Sequence, residues 1–315
     1  MMTCHDYDMH KIYDHLAYAK MKNLILDTDT FNEIDDQFAV TYAMVADDIN
    51  ILAMTAAPFY NRRSTGPADG MEKSYHELIK IRNPNDPEGK RNIPVYRGSA
   101  SYMKNIITPV KSEAAEAIVR KVHEADGIVY IAAIGCYTNV ASALLLDPTI
   151  MDKAVVILTG GQKIRFGSAN EFNLEQDRIA ARVIFECGVP VIVLPASGCT
   201  EELYATNAEV EYYLRDKAGK IGNYLCDIFN AEEGHPMGKD NFCNTRQRSI
   251  FDIASIAFMR NPVGFCNKHF VSAHSITPSG DWFDLKDGRE MIIMEDIGKY
   301  IVLSDFFTLV RRANE

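Results

Sequence analysis

The stretch LILDTDTFNEIDD, residues 24–36, joins a short apolar run to a dense acidic loop. The five carboxylates of this stretch are Asp27, Asp29, Glu33, Asp35 and Asp36. Carboxylates this close repel one another, and burying them is costly unless a partner compensates their charge. The stretch therefore predicts a strand end at which a cation, a substrate or water meets a cluster of acids.

Apolar runs alternate with helical patterns along most of the chain. Strands are predicted at residues 24–26, 50–57, 93–98, 127–135, 154–161 and 189–197. Helices are predicted from residue 35 onward and at residues 70–81, 112–125, 138–146 and 175–188. The strands are apolar throughout, as in parallel sheets that are covered by helices on both faces, and the alternation implies right-handed crossovers. The pattern predicts an α/β fold with a mostly parallel, Rossmann-like central sheet.

We expect a single domain at residues 23–315, preceded by an N-terminal extension at residues 1–22. The extension holds three Asp and three His and no continuous apolar stretch, which excludes a signal peptide. It is expected to be either a short surface helix or a segment upstream of a natural start at Met21. Residues 200–249 indicate a helical insertion. Residues 268–304 predict a C-terminal β segment, from runs such as KHFVSAHSI and YIVLSDFF.

The composition excludes several classes of protein. The 315 residues are 47% hydrophobic and carry a formal net charge of -10, which argues against nucleic acid or an anionic membrane as partner. No apolar run reaches the roughly 18 residues of a membrane span. The seven cysteines are odd in number and form no C-x-x-C pair, so we expect reduced thiols in a cytoplasmic protein and no zinc site.

The position of the acidic loop indicates a ligand site. In open parallel sheets, ligands bind beyond the carboxyl ends of the strands. Asp27 and Asp29 share one side of an extended segment, and Asp36 begins a helix that can fold back over them. Several carboxylate oxygens in one small volume suit a hard cation such as Ca²⁺ or Mg²⁺. Alternatively, Asp35 and Asp36 only cap the helix, which leaves the rest of the cluster unexplained.

A D-x-D pair after an apolar strand is also how haloacid-dehalogenase-like phosphatases begin. In those enzymes the first Asp attacks phosphorus, the second is the general acid and a magnesium ion bridges. Their pattern has Thr or Val two positions after the second Asp, where this chain has Phe31. The phosphatase pattern also gives Asp35 and Asp36 no role. The phosphatase is therefore kept only as an alternative.

Five ordered motifs resemble the nucleoside hydrolases, the inosine-uridine-preferring nucleoside N-ribohydrolases. The opening DTDTFNEIDD resembles the family's D-x-D-P-G-x-D-D, with two extra residues between the acidic pairs. IAAIGCYTNVASAL (131–144) resembles A-x-G-P-L-T-N-x-A, and VILTGG (156–161) resembles the M-G-G strand end. ANEFNLEQDRIAA (169–181) resembles A-E-F-N-x-x-x-D-P-E-A-A, and RSIFDIASIA (248–257) resembles the late L-H-D-P-x-A segment. Each motif alone is weak, but their order over about residues 22–260 is specific.

The resemblance implies hydrolysis of ribonucleosides to ribose and free base, with a calcium ion at the bottom of the pocket. The calcium ligands carried over by position are Asp29, Asp36, the backbone carbonyl of Thr138 and Asp252, with Asp27 supporting or joining them. Asp29 would take a proton from the calcium-bound water, which then adds to the anomeric carbon. N-glycosidic cleavage develops positive charge on the sugar, which a ring of carboxylates stabilises.

Substrate contacts are implied in the same way. Asp35 would hydrogen-bond the ribose diol, and Glu171 and Asn173 would hold the 5′-hydroxyl side. Asn61 and Asn170 are expected to make further ribose contacts. Asp177 also has a counterpart in the family and is expected to be structural.

The departures from the family pattern lie on the side of the pocket that faces the base. Phe251 stands where many members carry the His that protonates the leaving base, and Thr30 and Phe31 replace Pro-Gly. The other candidates for leaving-group activation are His235, Arg246, Arg248 and Tyr60. Ribosyl hydrolysis is therefore expected, whereas the preferred base is not predicted.

Two further readings stay open beside the calcium-dependent nucleoside hydrolase and the phosphatase. The chain could hydrolyse another ribosyl compound, or it could bind ribosides without turnover. By resemblance alone, we expect a role in purine or pyrimidine salvage and a homodimer or homotetramer.

Overall fold

The computed structural model describes residues 8–85, 92–231 and 247–314. The strands in these residues are β1 (Lys22–Thr28), β2 (Ile49–Ala56), β3 (Val95–Tyr96), β4 (Val129–Ala133), β5 (Ala154–Thr159), β6 (Val191–Leu194), β7 (Tyr204–Thr206), β8 (Gln247–Ser249), β9 (Cys266–Ser272), β10 (His274–Ile276), β11 (Trp282–Asp284) and β12 (Glu290–Ile297). The helices are α1 (Met9–Tyr18), α2 (Asp35–Val45), α3 (Pro67–Asn85), α4 (Glu113–Glu124), α5 (Thr138–Leu146), α6 (Phe172–Gln176), α7 (Arg178–Cys187), α8 (Asn207–Leu214), α9 (Gly219–Asn230), α10 (Ile253–Arg260) and α11 (Lys299–Arg312).

An eight-stranded sheet has the order β3-β2-β1-β4-β5-β6-β12-β9. Its neighbouring strands pair in parallel, except that β9 is antiparallel to β12. Successive residues of a strand face opposite sides of the sheet. Accordingly, Leu24 and Leu26 enter one buried cluster with α2, α10 and α11, and Ile25 enters the other with α4, α5 and α7. The predicted α/β fold with a mostly parallel, doubly covered sheet is confirmed.

The last part of the chain differs from the prediction in one element. KHFVSAHSI lies in β9 and β10, as expected for a β segment, but residues 300–307 lie in α11, so a strand there is wrong. The apolar residues of this run recur at helical rather than alternating spacing. Those buried on the inner side of α11 are Val302, Leu303, Phe306, Phe307, Leu309 and Val310. The predicted insertion contains α8 and α9 together with the small antiparallel pair of β7 and β8.

In the described part of the N-terminal extension, helix α1 packs onto the core. Met9, Ile12 and Leu16 are buried, and His15 shares a hydrogen bond of 2.8 Å with the hydroxyl of Tyr130 in β4. The division of the chain after residue 22 stays a prediction. In the described ranges, no helix is long and apolar enough to cross a membrane.

Candidate active site

The acidic loop leaves the sheet where the chain connections diverge. β1 lies between β2 and β4, and Asp27 at its end is level with Thr55 and Ala133 on those two strands. The chain continues from β1 to β2 and β3 on one side, whereas β4, β5 and β6 follow on the other. This divergence leaves a crevice at the carboxyl ends of the strands, where doubly wound folds bind their ligands.

A cavity of about 330 Å³ lies at this crevice, lined by the loops that follow β1, β4, β5 and β6. Its volume falls in the range of small-molecule sites. The acidic lining residues are Asp29, Glu33, Asp35, Asp36, Glu171 and Asp252. The other lining residues are Asn32, Ile134, Thr159, Gly160, Gln162, Phe172, Asn173, Ala196, Thr200 and Phe251. Within the described part of the chain, no basic side chain lines this cavity.

Three of the acids form a compact cluster at the ends of two helices. Asp35 and Asp36 occupy the first turn of α2, and Asp252 directly precedes α10, which packs against α2. One carboxylate oxygen of each lies within 4.8 Å of the others, and all three side chains are buried. Helix N-termini favour negative charge, which explains how the fold tolerates part of this cluster. The hydroxyl of Thr28 also donates a short hydrogen bond to Asp36.

Burial and mutual repulsion work against ionisation of these acids. Burial raises the pKa of Asp36 to about 7. Burial, together with the charges of Asp36 and Asp35, raises the pKa of Asp29 well above its ordinary value. The pKa of Asp35 and that of Asp252 are raised well above their ordinary values for the same two reasons. The protein alone therefore supplies too little positive charge around the cluster for all of its carboxyl groups to be ionised near neutral pH.

The donor set fits a hard divalent cation. Oδ2 of Asp29 and Oδ2 of Asp27 are buried and have no hydrogen-bond partner among the described residues. Buried polar atoms usually have a hydrogen-bond partner. Two carboxylate oxygens without one, beside a cluster of acids, therefore indicate a site for a cation that takes oxygen ligands. Ca²⁺ and Mg²⁺ take such ligands, whereas soft metals prefer sulfur.

Asp27 lies one layer behind the cavity. Its Oδ1 accepts hydrogen bonds from Thr55 Oγ1 at 2.6 Å and from Asn139 Nδ2 at 2.9 Å. Asn139 also donates to the carbonyl of Ala56 and accepts from the backbone N–H of Ser99. Burial raises the pKa of Asp27 to about 7 despite these donors. Asp27 is thus fixed by its neighbours and supports the loop that carries Asp29.

Glu171 and Asn173 also line the cavity, from the N-cap and the first turn of α6, which follows β5. The Glu171 carboxylate accepts from the N–H groups of Gly161, Asn173 and Leu174, and so caps α6. The Asn173 amide donates to the carbonyls of Ile134 at 2.9 Å and Thr159 at 3.1 Å. Both residues therefore hold the loop and line the cavity, so the capping role leaves room for the substrate contact, which stays a prediction.

Thr138 begins α5, and its side chain is hydrogen-bonded to Asp177, a residue that joins neighbouring elements of the fold. Its Oγ1 donates to Asp177 at 2.7 Å, and Asp177 also accepts from Met103 N and Ala180 N while capping α7. These bonds agree with the structural role expected of Asp177. Thr138 is buried and does not line the cavity.

The structure does not bring two of the predicted ribose contacts to the cavity. The Asn170 amide donates to the carbonyl of Ser279 and accepts from Arg178, so its side chain turns toward the loop before β11. Asn61 lines a smaller neighbouring cavity and donates to Oδ1 of Asn32. Asn32, rather than Asn61, therefore reaches the main cavity.

The candidates for leaving-group activation are also separated by the structure. Phe251 lines the main cavity in the place of the expected His. Tyr60 is 56% exposed and does not line it, whereas Arg248 lines the smaller cavity next to Glu33. His235 and Arg246 lie outside the described residues.

Sequence reasoning missed several residues of the cavity wall. Asn32 and Glu33 are the most informative, because they belong to the longer loop between the two acidic pairs. The available signal was the extra length of this loop. Residues added between two acidic pairs that are held in place must protrude, and here they protrude toward the cavity. Gln162, Thr159 and Thr200 carry no motif of their own, and no pattern in the sequence indicates them.

The chain matches the family described as inosine-uridine preferring nucleoside hydrolase over residues 24–291. It is 28% identical over 66% of its length to probable uridine nucleosidase 2 from Oryza sativa subsp. japonica, and spans 65% of that relative's length. It is 26% identical over 68% of its length to the Arabidopsis thaliana protein of the same name, and spans 71% of that protein.

The purine-preferring ribonucleoside hydrolase from Gardnerella vaginalis is a structural relative. It superimposes with a TM-score of 0.72 over 93% of this chain and 99% of its own, at 20% identity. At that identity the likeness concerns the fold, and it agrees with the central sheet described above.

Proposed function

Because the chain belongs to the inosine-uridine preferring nucleoside hydrolase family, we propose that it hydrolyses the N-glycosidic bond of ribonucleosides, giving ribose and a free base. One observation carries the proposal. The acids Asp29, Asp35, Asp36 and Asp252 line a single cavity at the carboxyl ends of the central strands. Both plant relatives are named probable uridine nucleosidase 2, and this name supports a nucleoside as substrate.

We assign a bound calcium ion to Asp29, Asp36 and Asp252, with the backbone carbonyl of Thr138 as a further ligand and Asp27 as support. When bound, such a cation neutralises the carboxylates, orients a vicinal diol and lowers the pKa of a water molecule. The Asp35 carboxylate lies within 4.8 Å of those of Asp36 and Asp252, so it can reach the ribose 2′ and 3′ hydroxyls beside the same cluster.

The reaction needs a base, a place for positive charge and a fixed sugar. Asp29, whose Oδ2 has no protein partner among the described residues, takes a proton from the attacking water. The water oxygen adds to the anomeric carbon as the C1′–N bond breaks and its electron pair passes to the base. The surrounding carboxylates stabilise the positive charge on the ribosyl group.

Glu171 and Asn173 hold the other end of the sugar. Both are fixed by backbone hydrogen bonds at the cavity wall, so their remaining polar atoms are positioned before substrate arrives. Holding both ends of the ribose fixes the anomeric carbon relative to Asp29, which converts binding energy into rate.

The phosphatase alternative fits this cavity poorly. A transferring phosphoryl group is usually held by basic side chains, and none of the described residues that line the cavity is basic. A riboside-binding protein without turnover has the same cavity, so the two are separated by product formation. A homo-oligomeric assembly, a role in salvage and a cytoplasmic location stay predictions of the sequence.

The test is release of ribose and free base from a panel of purine and pyrimidine ribonucleosides, measured with calcium and with a chelator. Equal amounts of ribose and base, lost on chelation, support the proposal. Tight binding of nucleosides without product contradicts it in favour of a binding role, and phosphate release from phosphomonoesters contradicts it in favour of the phosphatase.

A further inference from the structure

The side chain of Gln162 lines the main cavity in a fixed orientation. Its Oε1 accepts a hydrogen bond of 3.0 Å from the backbone N–H of Ser197, and its Nε2 donates to the carbonyl of Asn170 at 3.3 Å. A backbone N–H only donates and a carbonyl oxygen only accepts, so these two partners determine which end of the amide is which. The cavity therefore has an amide group whose direction is set before any substrate binds.

The backbone of Gln162 is held by the hairpin of β10 and β11. The indole N–H of Trp282 donates to the carbonyl of Gln162 at 2.9 Å, and the backbone N–H of Trp282 donates to that of Gly167 at 2.8 Å. The carbonyl of Gly280, in the same hairpin, accepts from the backbone N–H of Ala169 at 2.7 Å. Trp282 does not line the cavity, so it acts on the cavity wall through Gln162.

Two hydrogen bonds place Gln162 beside Glu171, which is proposed to hold the 5′ end of the ribose. Gln162 is bonded to Asn170, the residue before Glu171, and the N–H of Gly161, the residue before Gln162, donates to Oε2 of Glu171 at 2.9 Å. The side chain of Asn170, the ribose contact expected from the sequence, turns instead toward Ser279. Gln162 thus lines the cavity beside Glu171, where the contact of Asn170 was expected.

Glu171 and Gln162 together offer the groups that a hydroxyl needs. A hydroxyl group donates one hydrogen and accepts on its oxygen. The ionised Glu171 carboxylate only accepts, with about four acceptor positions, and the N–H groups of Gly161, Asn173 and Leu174 use three of them. The Gln162 amide has two N–H groups, of which the described residues use one. A carboxylate acceptor and an amide donor therefore remain for one hydroxyl group.

We propose that Glu171 and Gln162 bind the ribose 5′-hydroxyl as a pair, in which the carboxylate accepts its hydrogen and the Gln162 amide donates to its oxygen. The inference rests on the proposed hydrolase function. Gln162 is then a specificity-determining residue for ribosides with a free 5′-hydroxyl group, and Trp282 is its positioning residue. A substrate without that hydroxyl leaves both polar groups without a partner, which is how a site built for a hydroxyl rejects such an analogue.

The test compares two nucleosides with their 5′-deoxy analogues. Release of free base is measured with calcium for uridine and 5′-deoxyuridine, and for inosine and 5′-deoxyinosine. Gln162→Met keeps the length of the side chain without its amide, and Trp282→Phe keeps an aromatic ring without its N–H. Asn50→Leu is the matched control, because it also replaces an amide by an aliphatic side chain, and Asn50 bonds Asn23 at the surface.

We expect Gln162→Met to lower kcat/KM for the parent nucleosides at least about tenfold and that for the 5′-deoxy analogues by less than about twofold. Trp282→Phe should reduce the same ratio by about threefold, because Gln162 keeps its amide and loses one bond that orients it. Asn50→Leu should leave the ratio unchanged. Both substrates of a pair are measured on one preparation, so a smaller fraction of folded protein lowers both rates and leaves their ratio unchanged.

Equal losses on both members of a pair in Gln162→Met, or no loss on the parent nucleoside, would mean that Gln162 only holds the loop. Either result overturns the pairing with Glu171 while leaving nucleoside hydrolysis intact, as does a wild type that hydrolyses the 5′-deoxy analogues equally well. An unchanged ratio in Trp282→Phe overturns the positioning role of Trp282. If the wild type with calcium releases base from none of the four compounds, the proposed function itself is contradicted, and this inference with it.

Discussion

Asn139 donates its side-chain amide to Oδ1 of Asp27 at 2.9 Å, which joins the first turn of α5 to the end of β1. The two residues are 112 positions apart, and both are fully buried. The bond spans the point where the sheet connections diverge, so it fixes the base of the acidic loop relative to the neighbouring strand. Buried residues that do not line the cavity thus help to position the side chains that do.

Replacing Asn139 by leucine should destabilise the protein and reduce activity together. The change removes a donor from a buried carboxylate oxygen and from the carbonyl of Ala56, which costs about 1–3 kcal/mol for each unsatisfied group. Denaturant unfolding should report the loss. Asn50→Leu is the control, since its amide bonds Asn23 at the surface and the change should stay within about 0.5 kcal/mol. Equal stability of the two variants contradicts the role assigned to Asn139.

Gly160→Ala should impair substrate binding more than folding. Gly160 has φ +146, and a Cβ there would overlap the hydroxyl of Tyr137 and Oε2 of Glu171. Because that overlap displaces a cavity carboxylate, KM should rise about tenfold or more, as when an oriented polar contact is lost. Gly167→Ala is the control, with φ +78 and open space around its Cβ position. It shares the backbone strain and should keep the KM of the wild type, so a similar rise in both variants would attribute the effect to strain alone.

The sequence predicted much of the site because the carboxyl ends of parallel strands meet at one edge of a sheet. Asp29 and Asp36 come from the opening motif and Asp252 from a motif more than 200 residues later, yet all three line one cavity in the structure. The strands were predicted from continuous apolar runs and the helices from helical spacing of apolar residues. The alternation of the two predicts the central sheet. The segment from Tyr300 onward predicts a strand because it is rich in β-branched and aromatic residues. In the structure these residues pack on one face of a helix.

Contacts between distant loops could not be predicted in the same way. Asn170 turns from the cavity because its partner Ser279 lies 109 residues away in a loop without a motif. Asn32 and Glu33 stood in the opening stretch, yet only the three-dimensional path of the loop shows that they face two cavities. Side-chain partners across loops depend on the assembled fold and leave no periodic trace in the sequence.

Calcium should stabilise the protein more strongly as the pH rises from about 5 to about 7. In the unfolded chain aspartates titrate near pH 4, whereas burial raises the pKa of Asp36 and that of Asp27 to about 7 in the fold. Between these values the folded metal-free protein keeps protons that the unfolded chain releases, so its unfolding free energy falls as pH rises. A cation that replaces those protons binds better at higher pH.

Thermal unfolding scans with calcium and with a chelator test this linkage. Calcium at about 100 times its Kd adds about 2.7 kcal/mol, or roughly 5 °C for a chain of this size. The rise should be small at pH 5 and level off above about pH 7. Asp252→Asn should abolish most of it, and Asp281→Asn, an exposed acid outside the cavity, should not. A calcium effect that is independent of pH, or unchanged in Asp252→Asn, contradicts the assigned cation site.

Glu171 should contribute to recognition of the ribose 5′-hydroxyl. Wild-type protein should prefer uridine over 5′-deoxyuridine at least about tenfold in kcat/KM, because a buried polar group loses its partner with the deoxy substrate. Glu171→Gln should reduce this ratio by acting mainly on uridine, while Glu175→Gln, an exposed residue of the same helix, should leave it unchanged. Equal losses on both substrates would mean that Glu171 only caps α6.

The most direct measurement is ribose release by wild-type and Asp29→Asn protein, each stripped of metal and then given calcium. Among the described residues that line the cavity, Asp29 is the one carboxylate with a fully buried oxygen that has no hydrogen-bond partner. Wild-type activity should return with calcium. The variant should stay folded and lose about 10²–10⁴-fold in kcat, the usual contribution of a general base, while exposed Asp126→Asn behaves as wild type. Undiminished turnover by Asp29→Asn would contradict the proposed chemistry.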